Sequence, residues 1–338
     1  MKVLAVLLMS LALTLGLPIH KYEQPPHDGY RLLKTGELTP GFWVPQEVVE
    51  ILSQNHYNFI DITDHQVVDP SLSPIPSAIP SQPLYQSIVN PLINQIDMGF
   101  YEDKLNELSS FRNRYYTGYG DESAEWVFNL AKELSNNRSD ITVTKFTHQW
   151  AQPSVIAKIQ GSKTEELVIV GAHQDSTSPG MPSGVAPGVD DDGSGSTALF
   201  EILRLLVSSN FKPEYTIELQ WYAAEEVGLL GSQAIANSYQ QQGKAVRGMM
   251  QLDMIGYNGK ESTVGIITDN TSSQVNAFNR LLVDEYLEIG WTNSLCGYGC
   301  SDHASWNRYG YPSSFPFEAQ MRNSNPSIHT TSDTLDKI

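Results

Sequence analysis

Glu166-Leu167-Val168-Ile169-Val170-Gly171-Ala172-His173-Gln174-Asp175 runs from a short apolar stretch straight into an imidazole and a carboxylate. An apolar run of this length closed by glycine reads as a buried strand. Beyond it, residues 194–206 place Ala198, Leu199, Ile202, Leu205 and Leu206 at helical spacing. Residues 215–223 read as a strand, 227–239 as a helix and 247–254 as a strand. Strand and helix in turn predict an α/β fold with a mixed, largely parallel twisted sheet flanked by helices on both faces. Upstream, residues 84–135 read as mostly helical, most clearly at 102–108 and 123–134. Ser123 is the expected N-cap of the latter, with Trp126, Leu130 and Leu134 on one face.

Chemistry gathers where these strands run out, the edge at which an α/β sheet presents side chains to a ligand. His173 and Asp175 follow the first strand. Asp190-Asp191-Asp192 precede Gly193-Ser194-Gly195, where three successive carboxylates repel one another unless cations lie nearby. Glu225-Glu226 follow the strand ending at Ala223, Asp253 closes the next, and His329 lies in Ser327-Ile328-His329-Thr330. Two imidazoles and three carboxylates can hold two zinc ions if one carboxylate bridges, which leaves one glutamate free to move protons.

Forty per cent hydrophobic and 17% charged residues fit a globular chain with a substantial core. A formal net charge of −17 argues against nucleic acid or an anionic membrane as partner. Met1-Lys2, the apolar stretch from Val3 to Leu15, and small residues at Thr14 and Gly16 predict a signal peptide over residues 1–16. That stretch is shorter than the roughly 20 residues a spanning helix needs, so secretion is expected rather than anchoring. Pro70, Pro74, Pro76, Pro80 and Pro83 interrupt a Ser-rich stretch that reads as an exposed linker. Residues 17–83 are therefore expected to be a propeptide with a Pro/Ser-rich linker, and 84–338 the catalytic domain. Cys296 and Cys300 flank Gly297-Tyr298-Gly299 and would oxidise to a disulfide in an exported protein. A zinc knuckle would need a second ligand pair, and none is evident. Asn137 and Asn270 head N-glycosylation sequons.

From Phe111-Arg112-Asn113-Arg114-Tyr115-Tyr116 to Asp333-Thr334-Leu335 the chain resembles the secreted leucyl aminopeptidases of metallopeptidase family 28, the co-catalytic dizinc group. Cys296-Gly297-Tyr298-Gly299-Cys300-Ser301-Asp302-His303-Ala304-Ser305-Trp306 and Phe315-Pro316-Phe317-Glu318 carry much of that similarity. The resemblance implies a zinc-dependent exopeptidase fold and two Zn2+ per chain. It places His173 and Asp253 on one ion and Glu226 and His329 on the other, with Asp191 bridging and Asp190 as the fallback. Glu225 would be the general base and Asp175 the support of His173. The implied reaction is hydrolysis of the first peptide bond by a dizinc-bridged water, with Tyr298 as an extra donor. Met254, Phe315, Phe317, Met321 and Ile328 would shape the pocket for a leucine-like side chain. Peptides with a free apolar N-terminus are the expected partners of a monomeric, secreted enzyme. The chain stops nine residues after His329, where such proteins usually continue into a further helical segment. An element that packs behind the last ligand is thus expected to be missing. The alternatives on this fold are a glutaminyl cyclase-like single-zinc acyltransferase and an inactive receptor-like relative. The complete ligand set, with Glu225 beside Glu226, favours the dizinc peptidase.

Overall fold

The computed structural model describes residues 28–36, 39–55, 57–66, 68–259 and 262–338; the expected signal peptide lies outside them. A six-stranded sheet organises the chain. It contains β4 (Ile141–Phe146), β5 (Ser154–Ile159), β6 (Thr164–His173), β7 (Tyr215–Tyr222), β8 (Val246–Gln251) and β11 (Ser313–Ser314), in the order β11-β8-β6-β7-β5-β4. The pairs β11–β8, β8–β6 and β6–β7 are parallel, whereas β7–β5 and β5–β4 are antiparallel. The sheet is therefore mixed and largely parallel. Parallel register decides where the chemistry falls: His173 pairs with Tyr222 across β6–β7, and Gly171 with Gln251 across β6–β8. Residues following Tyr222 and Gln251 must emerge at the edge where His173 emerges.

Helices cover both faces because the strands alternate two apolar sets. Leu219, Trp221, Ala172 and Val155 pack against Leu199, Phe200 and Leu203 of α5 (Gly195–Ser208) and Val127 and Ala131 of α4 (Gly120–Leu134). Leu108, at the end of α3 (Met98–Ser109), joins them. On the other face Ile169, Tyr222 and Met249 meet Ile235 and Tyr239 of α6 (Leu230–Gln241) and Trp306 of α8 (His303–Arg308). A smaller sheet, β10-β9-β12, is built from β9 (Thr263–Ile267), β10 (Gly290–Ser294) and β12 (Pro316–Phe317), with α7 (Ser273–Tyr286) between the first two.

Several boundaries differ from the sequence expectation. The helix read at 227–239 begins at Leu230, because Gly228 and Leu229 take positive φ and return their N–H groups to the Glu225 carbonyl. The strand read at 247–254 ends at Gln251. Ser123 is not an N-cap: α4 starts at Gly120, and the buried Ser123 hydroxyl donates to the Gly120 carbonyl.

Residues 30–61 form a small antiparallel sheet, β2-β1-β3, from β1 (Tyr30–Lys34), β2 (Phe42–Pro45) and β3 (Ile60–Asp61), with α1 (Gln46–Gln54) beside it. Its Leu33, Val49, Leu52 and Phe59 share one core with Tyr115, Tyr116, Ala224 and Val227. The stretch from 70 to 83 holds no α-helix or strand, as its prolines require, and Ile75 is 97% exposed. It is nevertheless tied down: Ser77 donates to the Glu166 carboxylate, Ser73 to the Tyr309 carbonyl, and Arg247 to the Ala78 carbonyl.

Candidate metal and catalytic centre

Three left-handed residues aim the ligand-bearing turns. Ala224 precedes Glu225-Glu226, Met254 follows Asp253, and His329 itself has φ 51°. Such conformations cost about 1–3 kcal/mol each and persist where the surroundings over-determine them. The surroundings here are carboxylates. Asp175 accepts the N–H groups of Glu225 and Glu226, at 3.0 and 3.1 Å. Asp192 accepts from His173 N–H at 2.9 Å on one oxygen, and from Gly195 and Met254 N–H on the other. Asp333 accepts from the N–H groups of Asp190 and Asp191. Gly195 has to be glycine, since a Cβ there would lie 2.3 Å from the Leu252 carbonyl oxygen.

This frame brings the six expected residues together. His173, Asp191 and Asp253 offer ligand atoms all within 4.8 Å of one another, and so do Asp191, Glu226 and His329. Asp191 belongs to both groups: its Oδ1 lies 3.1 Å from His173 Nε2 and its Oδ2 3.0 Å from His329 Nε2. Glu226 Oε2 is 2.9 Å from His329 Nε2, and Asp253 Oδ1 is 3.5 Å from His173 Nε2. Asp190, the fallback bridge, instead accepts from Gly256 N–H and the Asn325 amide. Asp175 Oδ1 faces His173 Nδ1 at 3.6 Å, and the same carboxylate also accepts the Glu225 and Glu226 amides.

The electrostatics ask for cations. Among the described residues, no Lys or Arg forms an ion pair with Asp191, Glu225, Glu226 or Asp253. The buried Arg114 guanidinium donates to the carbonyls of Gln174, Pro187 and Gly188. Burial pushes Glu225 well above the usual carboxylate range, helped by the charges of Asp302, Asp253 and Glu226. Burial and Asp191 raise Glu226 to about 7 against the pull of His329. Burial alone would lower His173, but Asp253 and Glu225 outweigh it and raise it. His173 also buries both ring nitrogens without a well-formed hydrogen bond. A nitrogen held between two carboxylate oxygens in this way is a donor set that divalent zinc fits.

The cleft over this cluster has a volume of about 200 Å³. Met254, Tyr298, Phe315, Phe317, Met321, Ile328 and both cysteines line it together with Glu225. Cys296 and Cys300 form the expected disulfide, with Cα atoms 6.1 Å apart. The loop is anchored by Asp269, which accepts from Cys296 and Gly297 N–H, and by Asn270, whose amide donates to the Tyr298 carbonyl. Just beyond it, Ser301 Oγ donates to Asp253 Oδ2 at 2.5 Å. Sequence reading missed Asp192, Ser301 and Asp333, although Asp192 sat in a carboxylate triplet and Asp333 only four residues past His329. It also missed Ser53, Tyr57, Asn58 and Phe59, which line the cleft from the N-terminal module. No local signal marks those four.

A mixed α/β sheet with two metal-capable trios at its carboxyl edge defines a metal-dependent hydrolase. The chain belongs to peptidase family M28, whose model matches residues 154–338. A probable leucine aminopeptidase of Arthroderma otae is 42% identical over 344 residues, covering all of this chain and 93% of that protein. Leucine aminopeptidase 1 of Sclerotinia sclerotiorum is 40% identical over 88% of this chain and 82% of its own length. Among solved structures, the LapA aminopeptidase of Legionella pneumophila superposes with a TM-score of 0.80 at 27% identity, over 91% of this chain and 92% of that one.

Proposed function

We propose that the chain is a secreted dizinc aminopeptidase that removes apolar, leucine-like residues from peptides with a free N-terminus. The observation that carries this reading is Asp191, shared between two metal-capable trios, with Glu225 beside them in an apolar-walled cleft. His173, Asp191 and Asp253 would hold one zinc ion and Asp191, Glu226 and His329 the other. Two bound zinc ions would supply positive charge to polarise the scissile carbonyl and acidify a water. Glu225 takes the proton of the attacking water and returns it to the leaving amine. The Tyr298 hydroxyl is kept protonated by burial and by the charge of Glu225, so it donates to the developing oxyanion. Phe315, Phe317, Met254 and Ile328 receive the side chain of the first residue. The two-trio arrangement favours this reading over a single-zinc acyltransferase.

The N-terminal module supports a zymogen reading. With Ser53, Tyr57, Asn58 and Phe59 along the cleft, its volume of about 200 Å³ lies below the roughly 300–1,000 Å³ of small-molecule sites, leaving little room for a peptide. Residues 17–83 would restrain the enzyme until cut. Among the described residues no helix is long and apolar enough to cross a membrane. Asn137, exposed after α4, is the better glycan acceptor, since the Asn270 amide is engaged at the disulfide loop. The enzyme is proposed to act as a monomer. Zinc stoichiometry, combined with hydrolysis of a leucyl anilide and its N-acetylated form, tests the reading. Two ions and strict dependence on the free amine are expected; one ion, or equal cleavage of both substrates, rejects it.

A further inference from the structure

Two buried aspartates hold the ligand-bearing loops by the same device. Asp175 takes the successive N–H groups of Glu225 and Glu226, one on each carboxylate oxygen. Asp333 does this for Asp190 and Asp191. The Asp190 N–H lies 3.1 and 3.2 Å from its two oxygens, and the Asp191 N–H lies 3.1 Å from Oδ2. Asp333 is 1% exposed, and its own carbonyl accepts from Val189 N–H at 3.3 Å. It also stands four residues after His329. One side chain thus joins the loop that delivers Asp191 to the segment that delivers His329.

We infer that Asp333 is a positioning residue of the dizinc centre, setting Asp191 so that its two oxygens face His173 and His329. This rests on the dizinc reading above. A carboxylate is suited to the task because it only accepts, on two oxygens. A carboxamide of the same size has one accepting oxygen and turns its NH2 towards a backbone donor, leaving a buried N–H unsatisfied. The second trio is struck twice by such a change, through Asp191 and through the segment carrying His329. The first trio keeps His173 and Asp253, whose placement depends on Asp192 and Ser301.

Stepwise titration of metal-stripped full-length protein with Zn2+ and with Co2+, followed by calorimetry and visible d–d absorption, tests the role. Asp333→Asn is expected to bind its first ion much as wild type does and its second roughly 10–100-fold more weakly. Its kcat falls with KM little changed, and the d–d spectrum of the second cobalt ion shifts. Asp333→Glu restores part of the second-ion affinity, because it keeps the carboxylate; a loss of packing alone would not follow the charge. Should Asp333→Asn not fold, Asp333→Glu is measured against wild type, with a weaker second ion again expected. Wild-type stepwise affinities in the variant that folds overturn the positioning role alone. A wild-type protein that binds a single ion removes the dizinc reading and this inference with it.

Discussion

The hydroxyl of Ser53, on the N-terminal module, donates to the carbonyl oxygen of Glu226 at 2.6 Å. Beside it the Asp61 N–H donates to the Gly228 carbonyl, and the Gln233 amide reaches both Asp61 and Gly228 carbonyls. Gly228 must be glycine here: its φ is +103°, and a Cβ would lie 2.5 Å from the Asp61 nitrogen. The module is therefore fastened to the turn that carries Glu225, the proposed general base. Protein trimmed near residue 83 is expected to hydrolyse leucyl substrates faster than the full chain, by tenfold or more on the order of an exposed against a covered cleft. Ser53→Ala removes one buried bond worth about 1 kcal/mol and should release a smaller part of that activity. Equal rates for all three proteins would reject the zymogen reading.

Glu225→Gln keeps the size of the side chain and removes its basicity. Both metal trios remain, so zinc content is expected to stay at two per chain while kcat falls roughly 10²–10⁴-fold. A variant with near-normal turnover would transfer the proton role to another group.

The half-buried Glu318 faces the buried Asp190, with Tyr257 and Asn325 N–H groups on the Glu318 oxygens. Burial, with the charge of Asp190, pushes Glu318 from an ordinary 4.5 to about 10. A carboxyl raised by folding binds more protons folded than unfolded. Its contribution is fully present below pH 4.5 and is lost as pH rises towards about 10. Glu318→Gln cannot ionise, so its Tm should decline less than that of wild type between about pH 5 and pH 9. Parallel declines in thermal unfolding would show that the pair does not titrate in this window.

The disulfide closes a very short loop and should contribute only about 2 kcal/mol through chain entropy. Its larger effect is expected at the cleft, because Tyr298 lies inside the loop and Ser301 follows Cys300 onto Asp253. The paired Cys296→Ser and Cys300→Ser variant should lose roughly tenfold in kcat/KM, a displacement of about 1 Å being enough for a larger loss. A normal kcat/KM with a lowered Tm would confine the bridge to stability.

The sheet was legible because apolar-rich runs such as 166–171 and 215–223 are largely buried strands. His173, Glu225-Glu226 and Asp253 were legible because they close apolar strands, whereas Asp191 stood out by its carboxylate triplet and His329 by the family resemblance. Turn detail was not. Gly228 hints at a break beside Val227, but the delay of helix α6 to Leu230 also needs Leu229 at positive φ, which its side chain does not announce. The prolines between 70 and 83 spoke correctly against helix and strand. They could not reveal Ser77 bonding to Glu166, a contact between residues 89 apart in sequence. Asp333 escaped for a similar reason, because its closest partners are the backbone amides of Asp190 and Asp191, which no side-chain pattern advertises.

The parallel register of β6 and β8 has a consequence for how the protein is made. His173, Asp191 and Asp253 have all been synthesised before the ribosome reaches β9, whereas His329 is added only after the smaller sheet. A nascent chain can thus assemble the first trio while the second still lacks its imidazole. Metal occupancy is expected to arise in that order, with the second ion recording that the final segment has closed. Chains arrested before residue 329 and assayed for bound metal would show one ion if the order holds, and none or two if it does not.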